Sequence, residues 1–138
     1  MDVLAGAAGL KATKAVVYFD KNASALKAIE LTREQQYLIS VQALKLRADD
    51  AARLYNKYMY KIGDPTWEKL DPKIRDLLVD LNYRGDLSAA ARNKIDTAAS
   101  KNDLKATCIA MGDSNFWKDM LGVPKSRYDE RKELICEL

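Results

Sequence analysis

Apolar side chains recur along this chain at three- and four-residue intervals almost from end to end, with polar ones between them. That period predicts helices, because residues three and four apart share one helix face. The longest such pattern starts at Thr32-Arg33-Glu34-Gln35. This is a capping box: the Thr32 hydroxyl accepts from the Gln35 amide, and the Gln35 side chain accepts from the Thr32 amide. Behind it, Leu38, Val41, Leu44 or Lys45, Ala48, Ala52, Tyr55 and Met59 lie at helical spacing, and no Pro or Gly interrupts before Gly63. The pattern predicts a helix to about Ile62. A helix so long in a small domain either bridges two lobes or breaks once near Leu46–Asp50.

Shorter helices follow. Asp64-Pro65 or Thr66 opens a turn carrying Trp67. Asp71-Pro72 is a start signal, with Asp as cap and Pro at the first helical position, where no amide is needed. From there Ile74, Leu77, Leu78 and Leu81 form one stripe, ending before Gly85. Asp86 or Ser88 caps the next helix, with Ala89, Ile95 and Ala98 inward. Asn102 or Asp103 opens another through Leu104, Cys108 and Met111, stopped by Gly112. Ser114 leads an aromatic turn to Gly122. Ser126-Arg127-Tyr128-Asp129 reads as a second capping box, before a last helix that buries Tyr128, Leu134 and Ile135. Ahead of Thr32, Asp2–Val17 and Ala23–Ile29 are expected as two short helices, with Val16–Phe19 the one strand candidate. The fold class expected is all-α.

With 138 residues, 48% hydrophobic and 31% charged, the chain suits one globular domain with a real core. No apolar run is long enough to span a membrane. Met1–Leu10 lacks a basic segment and is not read as a signal peptide, so action outside the cytoplasm would need delivery by another module. The net charge of +3 is spread among interspersed charges. It suits an anionic polymer such as peptidoglycan, and no basic block or motif points to nucleic acid. The absence of histidine excludes His-based triads and the usual zinc sites, so acid–base chemistry would rest on Asp, Glu, Lys or Tyr. Two cysteines, Cys108 and Cys136, are too few for a disulfide framework.

Taken in order, these signals resemble a known family. Leu31-Thr32-Arg33-Glu34-Gln35 is similar to the start of the long inter-lobe helix of phage-type lysozymes. Leu70-Asp71 through Asn82-Tyr83-Arg84-Gly85-Asp86 resembles their buried central helix and its cleft-facing turn. Phe116-Trp117, Gly122-Val123-Pro124 and Arg127 to Arg131 resemble the closing aromatic–Pro–Arg segment and helix. Leu10–Ala28 is similar to the stretch that precedes the long helix in the pesticin-like toxin branch. The resemblance implies a single lysozyme-like domain over 1–138. Residues 1–31 would be a reduced N-terminal lobe, and 32–138 the long helix with a C-terminal helical bundle. It implies a muramidase fold acting on peptidoglycan, with no metal or organic cofactor. It also implies that Cys108 and Cys136 lie on neighbouring helices, close enough to pair in an oxidising compartment.

The family's catalytic pattern is not found. Glycosidases need a carboxylic acid to protonate the leaving oxygen and a partner to position water. Asp2 is the only carboxylate before Asp20, and no Gly-rich hairpin precedes Thr32. Another register would put Tyr18-Phe19-Asp20 and Leu31-Thr32 on that hairpin, though positions 21–31 hold no Gly to turn it. Glu30 and Asp20 remain the weak catalytic candidates. The catalytic lobe is therefore expected to be reduced, absent or supplied by another chain. Asn82, Tyr83, Arg84 and Asp86 are the substrate-binding candidates: a Tyr face stacks on sugar, while Asn and Arg bond hydroxyls and carbonyls. The same residues serve equally well as a helix end followed by an N-cap. Phe116 and Trp117 are expected in the core rather than lining a cleft. Arg127 and Arg131 can hold an anionic muramyl peptide, though surface pairing with Asp129, Glu130 or Glu133 is the preferred reading.

Overall fold

The computed structural model describes residues 2–7, 9–10 and 12–137. The protein is all-α; among the described residues there is no strand. Its chain forms two compact units, residues 1–40 and 41–138.

In the first unit, α1 (Asp2–Ala7), α2 (Ala12–Lys21) and α3 (Ala23–Lys27) pack on one another. The stretch 2–17 is divided rather than one helix: Gly9 takes φ +76° between α1 and α2, and positions 8 and 11 lie outside the described residues. Tyr18 crosses to α1, where its hydroxyl donates to the Val3 carbonyl at 2.9 Å. Gly6 makes room for it, since a Cβ there would collide with the Tyr18 hydroxyl. The strand candidate Val16–Phe19 lies inside α2. A helix satisfies its own backbone groups, whereas a lone strand would leave them unpaired. The hairpin register for Tyr18–Asp20 is overturned with it.

The long helix α4 covers Arg33–Leu54. Its capping box forms as expected: the Thr32 amide donates to Gln35 Oε1 at 3.0 Å, and the Gln35 amide to Thr32 Oγ1 at 3.2 Å. The helix does not break at Leu46–Asp50. It widens into a π-helical turn over Tyr55–Met59 and stops at Tyr60, which is extended. Only its later part is core. Ala51, Tyr55 and Met59 are buried, whereas Leu38, Val41 and Leu44 are exposed despite their spacing. Helical period fixes which residues share a face, not whether anything covers it.

In the second unit, α5 (Pro72–Tyr83), α6 (Ala89–Ser100), α7 (Leu104–Met111) and α8 (Lys125–Cys136) enclose one core. α6 packs on α7, α7 on α8, α5 on α8, and the π-helical turn on α6. Asp71 Oδ1 caps α5 by accepting from the Lys73 amide at 2.8 Å. Ser88 caps α6 and Asp103 caps α7 in the same way. Asn102 instead takes φ +58° and accepts from the Asp71 amide, tying the α6–α7 turn to the start of α5. The inward stripe of α6 is Ala91, Ile95 and Ala99, one helical phase away from Ala89 and Ala98.

Trp117 sits in a second π-helical turn, Asn115–Met120, fully buried. Its indole N–H donates to the Ala110 carbonyl at 2.9 Å, and the half-buried Phe116 meets it edge-on. Core placement of this pair is thus as expected. The second capping box does not form. Pro124, at φ −56° and ψ 142°, already occupies the cap of α8, so Ser126 falls inside the first turn. Cys108 of α7 and Cys136 of α8 are joined as a disulfide across a Cα–Cα distance of 5.0 Å. It closes the loop containing the Trp117 turn.

Candidate functional site

The turn after α5 is built from its own backbone outward. Gly85, at φ +79°, ends the helix, and the Asp86 amide reaches back to the Leu81 carbonyl at 2.8 Å. This wrapped C-terminus satisfies carbonyls that the helix leaves free and needs a residue tolerant of positive φ. The Leu87 amide makes a second bond to Leu81, at 3.1 Å.

Side chains then divide the turn into an anchored pair and a presented pair. Asn82 is buried and ties α5 to α4: its amide nitrogen donates to the Arg47 carbonyl at 3.0 Å and to Asp50 Oδ2 at 3.2 Å. Arg53 holds the other face of Asp50, at 2.6 Å. Those contacts, Arg53 first, hold the Asp50 carboxyl below its ordinary value. Asp86 points to α8, where Arg131 Nη2 stands 2.8 Å from its Oδ2. That contact is close enough for an ion pair but off the hydrogen-bond direction. Tyr83 and Arg84 are exposed, and the Tyr83 ring keeps half its surface in solvent. Of the four residues singled out in the turn, two are anchors and two are available to a ligand.

Arg131 corrects the expected surface pairing. Its side chain is 2% exposed, with Nε 2.5 Å from Asp80 Oδ2 and Nη2 facing Asp86. Nη1 is buried without a hydrogen-bond partner. Arg127 does pair locally, with Glu130 at 3.1 Å, and also approaches Asp80 at 3.8 Å. The difference follows from helix phase. Arg131 shares the buried stripe of α8 with Tyr128 and Ile135, so it must find its acids on α5 and the turn. Asp80 was missed as a participant; its signal is a carboxylate set among Leu77, Leu78, Val79 and Leu81. A hollow of about 260 Å³ beside Arg131 is lined by Asp76, Asp80, Glu130 and Leu134.

Asp20, at the end of α2, and Glu30, before α4, both belong to the first unit and are exposed. Neither is in an ion pair or side-chain hydrogen bond among the described residues. Among the described residues, no helix is long and apolar enough to cross a membrane.

The fold and this clamped turn define an all-helical protein whose second unit is fastened by a disulfide and a buried arginine. The chain belongs to the family described as Domain of unknown function (DUF8812), whose model matches residues 1–132. No curated protein and no solved structure matches it.

Proposed function

We propose that this chain is a peptidoglycan-directed, lysozyme-like module that binds wall glycan and does not cut it alone. The observation that carries the reading is the turn at the end of α5. Asn82 and Asp86 fix it from below, and Tyr83 and Arg84 stand out of it with their surfaces free. An aromatic face next to a guanidinium on a rigid base suits a sugar ring with nearby carbonyl or carboxylate oxygens. The order of helices supports the same reading, since the capping box at Thr32, the Asp71-Pro72 start and the Trp117 segment follow the sequence resemblance to pesticin-like lysozymes. The disulfide suits action in the periplasm or at the cell wall after delivery by another module.

The activity half of the proposal rests on Asp20 and Glu30, neither of which has the surroundings of a general acid. Losing that acid costs a glycosidase about 100-fold or more. The chain should release reducing ends from purified peptidoglycan no faster than buffer does. Release that is abolished by Glu30→Gln or Asp20→Asn would make the chain a muramidase in its own right. In the proposal, a complete catalytic lobe comes from another chain or module, and the bond then cut lies between N-acetylmuramic acid and N-acetylglucosamine.

A second reading, a non-catalytic interaction module of a phage particle or secreted effector, is favoured by α4. Its Tyr37, Leu38, Ile39, Val41, Leu44 and Leu46 are all exposed. So many large apolar side chains on one helix suit contact with another polypeptide.

A further inference from the structure

The π-helical turn Tyr55–Met59 places Tyr55 and Met59 in the core and leaves Tyr58 outside with half its surface exposed. Two cations converge on the Tyr58 ring from different elements. The Arg92 guanidinium of α6 lies 4.6 Å from the ring centroid, and the Lys57 ammonium 5.0 Å. The Arg92 guanidinium is also held by the backbone, because Nη1 donates to the Leu87 carbonyl at 2.8 Å. Among the described residues, neither Lys57 nor Arg92 has a carboxylate in an ion pair, in contrast to Lys61, Lys94, Lys101 and Lys125.

We propose that Lys57 and Arg92, gathered on the Tyr58 ring, form a binding patch for carboxylate groups carried by the wall polymer. The proposal rests on the wall-binding reading and deepens it by naming a second contact and the group it grips. Two like charges drawn to one ring raise the local positive potential, and an anion bound at either of them lowers it. The ring contacts and the Leu87 bond order the guanidinium in advance, so less freedom is lost when a ligand arrives. Arg92 retains donors for a planar, two-oxygen acceptor, and Lys57 adds a mobile point charge. Arg53 adds to the same field while bound to Asp50: the nearby Lys57 ammonium first, and then the Arg92 and Arg53 charges, hold the Tyr58 hydroxyl below its ordinary value. A carboxylated glycan fits better than a nucleic acid, because the ring already carries two cations and is poorly placed to stack a base.

Co-sedimentation tests this with three probes: native sacculi, sacculi whose carboxylates have been amidated, and a single-stranded DNA oligonucleotide. The proteins are the parent, Lys57→Gln/Arg92→Gln, and Lys105→Gln as an exposed α7 control, with thermal melts to confirm folding. Loss of a charge-assisted contact should weaken binding to native sacculi about tenfold in the double variant. Amidation should weaken the parent more than the double variant, whose remaining response comes through Arg84, and Lys105→Gln should match the parent. Lys57→Gln alone, on an exposed side chain, covers the case in which the double variant fails to fold; it should weaken binding severalfold. Parent-like binding by the double variant, or by Lys57→Gln where only that folds, or a parent indifferent to amidation, overturns the patch and leaves the wall reading standing. A parent that sediments with neither form of sacculi overturns both. Oligonucleotide binding that the double variant loses would reassign the patch to nucleic acid.

Discussion

Arg131 Nε stands 2.5 Å from Asp80 Oδ2, across the contact between α8 and α5. The guanidinium is almost wholly buried, and the Asp80 and Asp86 carboxylates beside it are 31% and 20% exposed. The pair is therefore a fastening inside the second unit. It joins the last helix to the helix and turn that present Tyr83 and Arg84.

Arg131→Ala should destabilise the protein by about 2–4 kcal/mol, because it strips two partly buried carboxylates of their shared counter-charge and leaves Asp80 only the more distant Arg127. Arg131→Lys should recover only part of this, since one ammonium cannot span both acids as a planar fork does. Urea unfolding of the two variants measures both effects. A change within about 0.5 kcal/mol for Arg131→Ala would place the residue in the class of ordinary surface substitutions.

The Cys108–Cys136 bond should contribute about 3.5 kcal/mol by restricting the unfolded chain. Cys136→Ser should lower the melting temperature, and reductant should bring the parent down to the same value. Protein exported to the periplasm should resist alkylation while folded. Two freely alkylated thiols in that protein would count against the bridge.

Tyr55 supplies a prediction at high pH. Burial, aided by the Asp64 charge, pushes its phenol up to about 12 from 10.0. The neutral hydroxyl donates to the Pro65 carbonyl at 2.7 Å. A raised folded value means that this stability is fully present below pH 10 and is lost as pH climbs towards 12. The loss over that window is about 2–3 kcal/mol. Tyr55→Phe lacks the ionising group, so it should start about 1 kcal/mol less stable at pH 8, through the lost hydrogen bond. It should then equal or overtake the parent near pH 12. Parallel stability curves for the two proteins from pH 8 to 12 would rule out this origin.

Features set by neighbours in sequence were legible before the fold. The Thr32–Gln35 box, the Asp71-Pro72 start and the Ile74–Leu81 stripe each depend on residues within one or two turns. The spacing of Leu38, Val41 and Leu44 located them on α4 but left their exposure open, because spacing cannot reveal what lies opposite. Arg131 was misread for the same reason: its acids are 51 and 45 positions away, and three nearer acids in α8 were available. The Cys108–Cys136 contact was legible only through the family resemblance, since nothing local brings α7 to α8. In the turn, Asn82 to Asp86 all looked suited to a ligand. Packing alone separates the inward Asn82 and Asp86 from the outward Tyr83 and Arg84.

The most direct measurement of the central claim is sedimentation of the pure protein with insoluble peptidoglycan. The parent should sediment with it. Tyr83→Ala should weaken binding by about 1–2 kcal/mol through lost aromatic contact, with the melting temperature unchanged. Arg84→Ala should lose more affinity for muramyl-peptide fragments than for neutral chitin oligomers, because only the former offer carboxylates to a guanidinium. A parent that stays in the supernatant would contradict the wall-binding account and move the protein-contact reading, with its exposed α4 side chains, into first place.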